Sequence, residues 1–262
     1  MLRSLTTAGT GMISQQSNLD VIANNLANVN TTGFKQQIAE FQDLMYQTQR
    51  SSGAQNNGAV NSPEPLQVGL GSRLSATGSS FKQGPLQATG NVTDMAIVGP
   101  GFFAVERPDG TTAYTRDGSF KLDAAGLLVT HDGYPLVPNV TVPTGAQAIT
   151  ISSTGVISAI LPGNAEPVVL GNVSLTNFPN PAGLTRVGQN LYLGGGASGD
   201  PQEGEPGSNG MGTIQSQHVE GSNVQVVEEM VKMILAQRAY EINSKAIQTA
   251  DEMLSVLNQL KR

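Results

Sequence analysis

The sequence predicts a mixed, mainly β fold in which a β-rich central module is inserted between long N- and C-terminal α-helices. The two helices are expected to pair as a coiled-coil-like stalk. Three observations carry this. Apolar residues repeat at spacings of four and three at both ends of the chain. Between them, 31 Gly, 14 Pro and repeated Asp-Gly pairs separate short β-branched or apolar runs. Charged residues make up only 13% of the 262-residue chain, which with the Gly and Pro content points to turns, loops and β structure in the middle.

At the N-terminus Met1, Leu5, Ala8, Met12, Gln15, Leu19, Ile22, Leu26 and Val29 form one stripe with a single polar member. A seam sustained over four heptads predicts a coiled-coil-like helix. Gly9 and Gly11 weaken its first turns, each by about 1 kcal/mol relative to Ala. Asn30-Thr31-Thr32-Gly33 is a stop signal with glycine placed to cap the end. Phe34, Ile38, Phe41 and Met45 then resume a helical spacing and predict a short second helical segment.

Residues 49–65 are Gly, Ser, Asn, Gln and Pro with little to bury, and read as a flexible surface loop or as an arm that orders against a neighbouring subunit. From Leu66 the pattern turns to β. Strands are expected at Phe102–Glu106, Thr112–Thr115, Ser119–Leu122, Leu127–Thr130, Ala148–Ser152, Gly155–Ile160, Val168–Leu175 and Asn190–Leu193, with Gly194–Gly212 a glycine-rich loop.

The C-terminal helix carries two stripes. Leu235, Ala239, Ile242, Ala246, Thr249, Met253, Val256 and Leu260 form the first. Met233, Ala236, Tyr240, Asn243, Ile247, Ala250, Leu254 and Leu257 form the second, and Arg238, Glu241, Lys245, Gln248, Glu252, Ser255 and Gln259 make a polar face. Ser222 and Gln225 suggest a capping box, and Glu241–Lys245 an i,i+4 ion pair. A start at Asn223 would give a helix of roughly 57 Å at about 1.5 Å per residue. One partner helix covers one stripe; the second stripe marks an association surface. With such faces at both termini, copies can share a helical core, and a heterologous arrangement that does not close yields a filament or tube.

A net charge of −6 without a Lys/Arg cluster argues against nucleic acid as a partner. No cysteine is present, which excludes a disulfide framework and thiolate-bound metal. No run of 18 apolar residues predicts membrane insertion, and the opening MLRSLTTAGTGM predicts no cleaved secretory signal. Asp109, Asp117 and Asp132 each precede Gly and read as turn residues, not catalytic acids. Asp123 lacks calcium-loop spacing, and His131 and His218 lack the paired spacing of a metal site. No catalytic residue, cofactor or metal is therefore expected.

Particular strings then carry a family resemblance. IANNLANVNTTGFK (Ile22–Lys35) resembles the N-terminal signature of the bacterial flagellar rod and hook family. VTDMAIVGPGFFAV (Val92–Val105) and YTRDGSFKLDAAGLLV (Tyr114–Val129) resemble its shared β module, and Glu220–Leu260 its closing helix. Asp43–Gln55 and Leu66–Arg73 are similar to the distal rod branch; the proximal rod branch is the second reading. The resemblance implies a structural subunit exported unfolded by the flagellar type III apparatus, without signal cleavage. It implies self-assembly around a central channel in the basal body, between periplasm and outer membrane. The implied partners are further copies of the chain, proximal rod proteins, the hook protein and the P-ring and L-ring proteins.

On this reading residues 1–45 form an N-terminal helical segment, 46–73 an extended rod-specific segment associated with a straight, stiff rod, 74–219 the outer β module and 220–262 the closing helix. The residues expected at subunit interfaces are Leu5, Met12, Leu19, Ile22, Leu26, Val29, Leu235, Tyr240, Ile242, Ile247, Met253, Leu254, Leu257 and Leu260. Two other classes share the composition. A β-rich binding module on a coiled-coil stalk would carry its stalk at one end only. A cell-wall glycosidase would need two carboxyl groups facing each other in a cleft.

Overall fold

Phe102, Phe103, Ala104 and Val105 form an unbroken apolar run because their strand is buried on both faces. In a computed structural model of the chain, which describes residues 2–50, 55–56, 60–61, 64–162 and 166–260, Phe103 and Val105 enter one hydrophobic cluster. Phe102 and Ala104 enter another. The period-2 alternation of a strand divides them.

This strand belongs to one of two units, made of residues 28–36 and 79–224. Its largest sheet is antiparallel, with strands in the order Leu136–Val137, Phe103–Glu106, Thr112–Thr115, Leu191–Leu193, Thr185–Gly188. Asp109-Gly110 turns the central hairpin, where Ala113 faces Val105 and Tyr114 faces Ala104. The Thr111 hydroxyl and backbone N–H both donate to the Asp109 carboxylate, which holds its pKa below the usual range and fixes Asp109 as a turn residue. A three-stranded sheet, Ala148–Ile151, Val156–Ile160 and Val168–Asn172, stands beside shorter ladders. One cluster centres on Met95, Ile97, Phe103, Phe120, Leu136 and Ile157; the other stacks Phe102, Tyr114, Phe178 and Tyr192 edge to face.

The expected strands are present with small shifts at their ends. The 168–175 stretch divides into Val168–Asn172 and Leu175–Asn177. The glycine-rich stretch 194–212 contains a strand, Gln202–Gly204, paired with Leu175–Asn177. His218 sits on the strand His218–Glu220, where the ring Nδ1–H donates to the Ser216 carbonyl at 2.8 Å.

The other unit comprises residues 1–27, 37–78 and 225–262. It holds α1 (Leu2–Ala27), α2 (Val226–Leu260) and two antiparallel ribbons, Gln37–Asp43 with Ser72–Ser79 and Tyr46–Arg50 with Leu66–Gly69. The expected helical segment after Gly33 is therefore a strand. Its four apolar positions do not share a face: Phe34 is buried in the β-rich unit, while Ile38, Phe41 and Met45 are exposed. Most of the expected loop at 49–65 lies outside the described residues; Gln55–Asn56 and Val60–Asn61 pair as a short ladder.

Helix α2 begins three residues later than expected. The Glu229 N–H donates to the Gln225 carbonyl at 3.0 Å, whereas the Ser222 hydroxyl accepts from the Val224 N–H at 3.3 Å, so no capping box forms. Glu228 and Glu229 place negative charge in the first turn, where the helix dipole favours it. Glu241 pairs with Arg238 at 3.0 Å, one turn back, in place of the expected Lys245. At 35 residues the helix is roughly 53 Å long. Helix α1 ends at Ala27, so Val29 stands beyond it, half-buried in the turn that follows.

Candidate assembly interface

α1 and α2 pack antiparallel, since Gly11 meets Asn243 and Asn25 meets Glu229. The contact uses the second stripe of α2. Ala236 and Ala250 are buried, and Met233, Asn243, Ile247 and Leu254 are half-buried. Small residues let the helices approach closely: a Cβ on Gly11 would lie 2.9 Å from the Asn243 side chain. Gly11 thus has a packing role beyond weakening its helix. Asn25 fixes the register. Its amide donates to the Gln37 carbonyl at 2.8 Å and to Glu229 at 3.1 Å, and its oxygen accepts from the Gln37 N–H at 2.8 Å. Glu229, 1% exposed, also takes a 2.7 Å contact from Lys232. A buried polar group held this way favours one register over slipped alternatives.

The first stripe of α2 has no such cover. Leu235 is 64% exposed and Ile242 66%, and Met253 and Val256 are both more than half exposed. Val227, Val231 and Ile234 extend the stripe toward the helix start. Among the residues expected at interfaces, Ile22 is buried inside the unit, and Leu5, Met12, Leu19 and Leu26 are half-buried on α1. Ile247 and Leu254 turn toward α1, while Leu235, Tyr240, Ile242 and Met253 are exposed. The side chains of Leu257 and Leu260 lie outside the described residues.

In the β-rich unit, the segment after α1 is anchored by a buried ion cluster that the sequence reading did not single out. Lys35 and Glu220 are both 0% exposed, with Nζ and Oε1 2.6 Å apart. Lys35 also donates to the Lys82 carbonyl at 2.8 Å. Glu220 further accepts from the Gly84 N–H at 2.9 Å and from Arg116 at 3.4 Å. Burial pushes the Lys35 amine below its ordinary pKa, with Glu220 opposing the shift. Gly33, at φ +66°, donates its N–H to the Glu220 carbonyl; a Cβ there would lie 2.5 Å from the Asp117 nitrogen. Asn223 adds a bond from the Gln36 N–H at 2.7 Å.

Tyr192 lies beside this cluster, and burial raises its pKa, with Arg186 and Arg116 opposing. A tyrosine whose folded pKa exceeds its unfolded value contributes stability that is constant below about pH 10 and is lost above it. Tyr192 is therefore expected to take stability from the β-rich unit on moving from pH 9 to pH 11, while Lys35, whose pKa is lowered, adds stability until its unfolded-state pKa is passed. Tyr192→Phe should flatten that loss, as measured by urea unfolding at each pH.

Family profiles match the segments that carry these features. Residues 5–35 match one described as flagella basal body rod protein, residues 96–159 the flagellar hook protein FlgE/F/G D1 domain, and residues 215–260 the flagellar basal body rod FlgEFG protein C-terminal segment. Over 264 residues the chain is 50% identical to the flagellar basal-body rod protein FlgG of Borreliella burgdorferi, covering 100% of both chains. The chain belongs to the flagellar basal-body rod family. Relatives with the same name include that of Agrobacterium fabrum, 48% identical over 98% of this chain and 99% of the relative, and that of Bacillus subtilis, 40% identical over the whole of both. Each of the three matched rod-family segments supplies one member of the buried cluster: Lys35, Arg116 and Glu220.

Proposed function

We propose that the chain is the structural subunit of the flagellar distal rod. It self-assembles into a helical tubular drive shaft that carries torque from motor to hook through the P and L rings. The observation that carries this reading is the apolar stripe of α2 left exposed after α1 and α2 have paired. Burying each of its aliphatic side chains against a neighbour stabilises the contact by about 1.5–3 kcal/mol, and many such contacts acting in parallel suit a shaft that bears load without any reactive group. The Leu235, Ile242 and Met253 side chains form the contact between copies, while Ile22, Ile247 and Leu254 hold the helix pair inside each copy. The further partners are proximal rod proteins, the hook protein, the ring proteins and the export apparatus. The chain performs no catalysis.

The chain has no cysteine, so Ile242→Cys introduces a single thiol. In isolated basal bodies this thiol is expected to resist maleimide labelling, and the thiol of a polar-face variant, Gln248→Cys, to react. Equal labelling of both would remove the stripe as the contact.

The free subunit is expected to hold its helices weakly, which assists passage through an export channel. Amide exchange in dilute monomer should be fast over 2–27 and 226–260. Residues 33–36 should be protected, because Gly33, Phe34 and Lys35 are buried in the β-rich unit.

A further inference from the structure

The exposed stripe of α2 needs a counterpart on the same chain. A stripe packed on its own copy about a two-fold axis closes into a dimer, so a polymer has to seat it on a different surface. The stripe runs from Val227 to Val256, roughly 45 Å at about 1.5 Å per residue. The ribbons of the same unit are too short to match it, since their longest strand has eight residues and spans about 27 Å. Helix α1, with 26 residues and a length of roughly 39 Å, is the element that matches.

α1 carries a second apolar face. On its first, Ala8, Ser14, Ile22 and Asn25 are buried within the unit. About a third of a turn away, Leu5, Gly9, Met12, Leu19, Ala23 and Leu26 follow one another at spacings of four, three, seven, four and three, with Gln16 the one polar position among them. The four long side chains are only half-buried, and Ala23 and Gln16 are exposed, so this face stays partly open after α1 and α2 have paired.

The two glycines of α1 differ in what surrounds them. Gly11 is used inside the copy, where a Cβ would lie 2.9 Å from the Asn243 side chain. A Cβ on Gly9 would meet nothing within 4 Å. Gly9 also sits in regular helix, without the positive φ that favours glycine. Glycine in a helix interior is destabilising relative to alanine. Among the described residues nothing calls for glycine there, whereas a helix of another copy laid on this face would approach the α1 backbone closely at that point.

We propose that the exposed stripe of α2 seats on this face of α1 in a second copy, with Gly9 as a point of close backbone approach. The proposal rests on the homopolymer reading above and names the surface that receives the stripe. Copies related by rotation and translation along their helices keep one direction, so the contact is antiparallel like the one inside each copy. Each α1 then lies between its own α2 and the α2 of a neighbour, and the seam passes from copy to copy without closing.

The test uses full-length chains carrying one cysteine each. A chain with Ala23→Cys is assembled with an equal amount of a chain bearing Val231→Cys, Leu235→Cys, Ile242→Cys or Met253→Cys, and the polymer is oxidised with copper phenanthroline. A disulfide joining the two different chains is expected with at least one of the four, and not with Gln248→Cys. Gly9→Leu is the second variant. Its dilute monomer should keep or exceed the wild-type helical signal, since the added side chain meets open space, while its critical concentration rises at least about tenfold, as on loss of an interface anchor. Polymer with no disulfide at any of the four positions, or normal assembly of Gly9→Leu, overturns α1 as the receiving surface and leaves the homopolymer standing. Loss of helical signal in the Gly9→Leu monomer places this face inside the copy and overturns the contact too. A wild-type chain that never assembles overturns the homopolymer reading and this contact with it.

Discussion

Glu220→Gln is expected to destabilise the β-rich unit by about 3–5 kcal/mol, because it strands buried cations that one carboxylate had served. Lys35 and Arg116 both point at that carboxylate. Lys35→Met should cost less, about 1–3 kcal/mol, since Glu220 keeps Arg116 and the local excess of positive charge falls. The asymmetry follows from the charge count and not from the hydrogen bonds, which each single variant disrupts. Urea unfolding followed by far-ultraviolet circular dichroism gives both values, and Glu106→Gln, at an exposed position, serves as control. A larger cost for Lys35→Met than for Glu220→Gln would contradict the account of the cluster. The two partners are 185 positions apart, so the cluster cannot close until nearly the whole chain is present. For a chain that passes unfolded through a channel, this delays completion of the β-rich unit until its last strand has emerged.

Ile242→Asp is expected to block assembly while leaving the monomer as it was. The side chain is exposed on α2, so the monomer loses little, whereas each copy–copy contact loses an aliphatic anchor worth about 1.5–3 kcal/mol and gains a buried charge. The critical concentration should rise by roughly one to two orders of magnitude or more, at about 1.4 kcal/mol per factor of ten. Leu254→Asp should behave differently. Its side chain is half-buried on the stripe that faces α1, so it should lower the helical signal of the monomer as well as block assembly. Sedimentation at a series of concentrations, with circular dichroism of the dilute samples, separates the two. Normal polymerisation of Ile242→Asp would mean that the exposed stripe is not the seam.

The two stripes were legible because a helix of 35 residues repeats its pattern often enough to exclude chance. The central hairpins were legible because Asp-Gly turns are local. The strand at Gln37–Asp43 was not, because Phe34, Ile38, Phe41 and Met45 happen to fall at spacings of four, three and four while serving different environments. Short pieces with few periods cannot separate helix from strand. The two-stranded ribbons escaped for a related reason: Tyr46–Arg50 is exposed along its whole length and carries no alternation to read. Asn25 and Glu229 were hidden because a polar residue at a helix–helix contact looks like surface until its partner is known. The ion cluster was least visible of all. Lys35 follows Gly33-Phe34, Arg116 sits in a turn-rich string and Glu220 precedes Gly221; only tertiary pairing brings the three together. The one local hint was a lysine directly after an apolar residue at the end of the first signature string.

The central claim is that the exposed face of α2 turns single subunits into a helical polymer. Electron microscopy of full-length protein over a concentration series, beside a chain ending at Val224, tests it most directly. Ending there keeps Glu220 and Asn223, which anchor the β-rich unit, and removes α2 alone. The account predicts rods or tubes from the full-length chain above a critical concentration, and monodisperse particles with an intact β signal from the shortened one. Rods from the shortened chain, or particles of one size from both at every concentration, would contradict it.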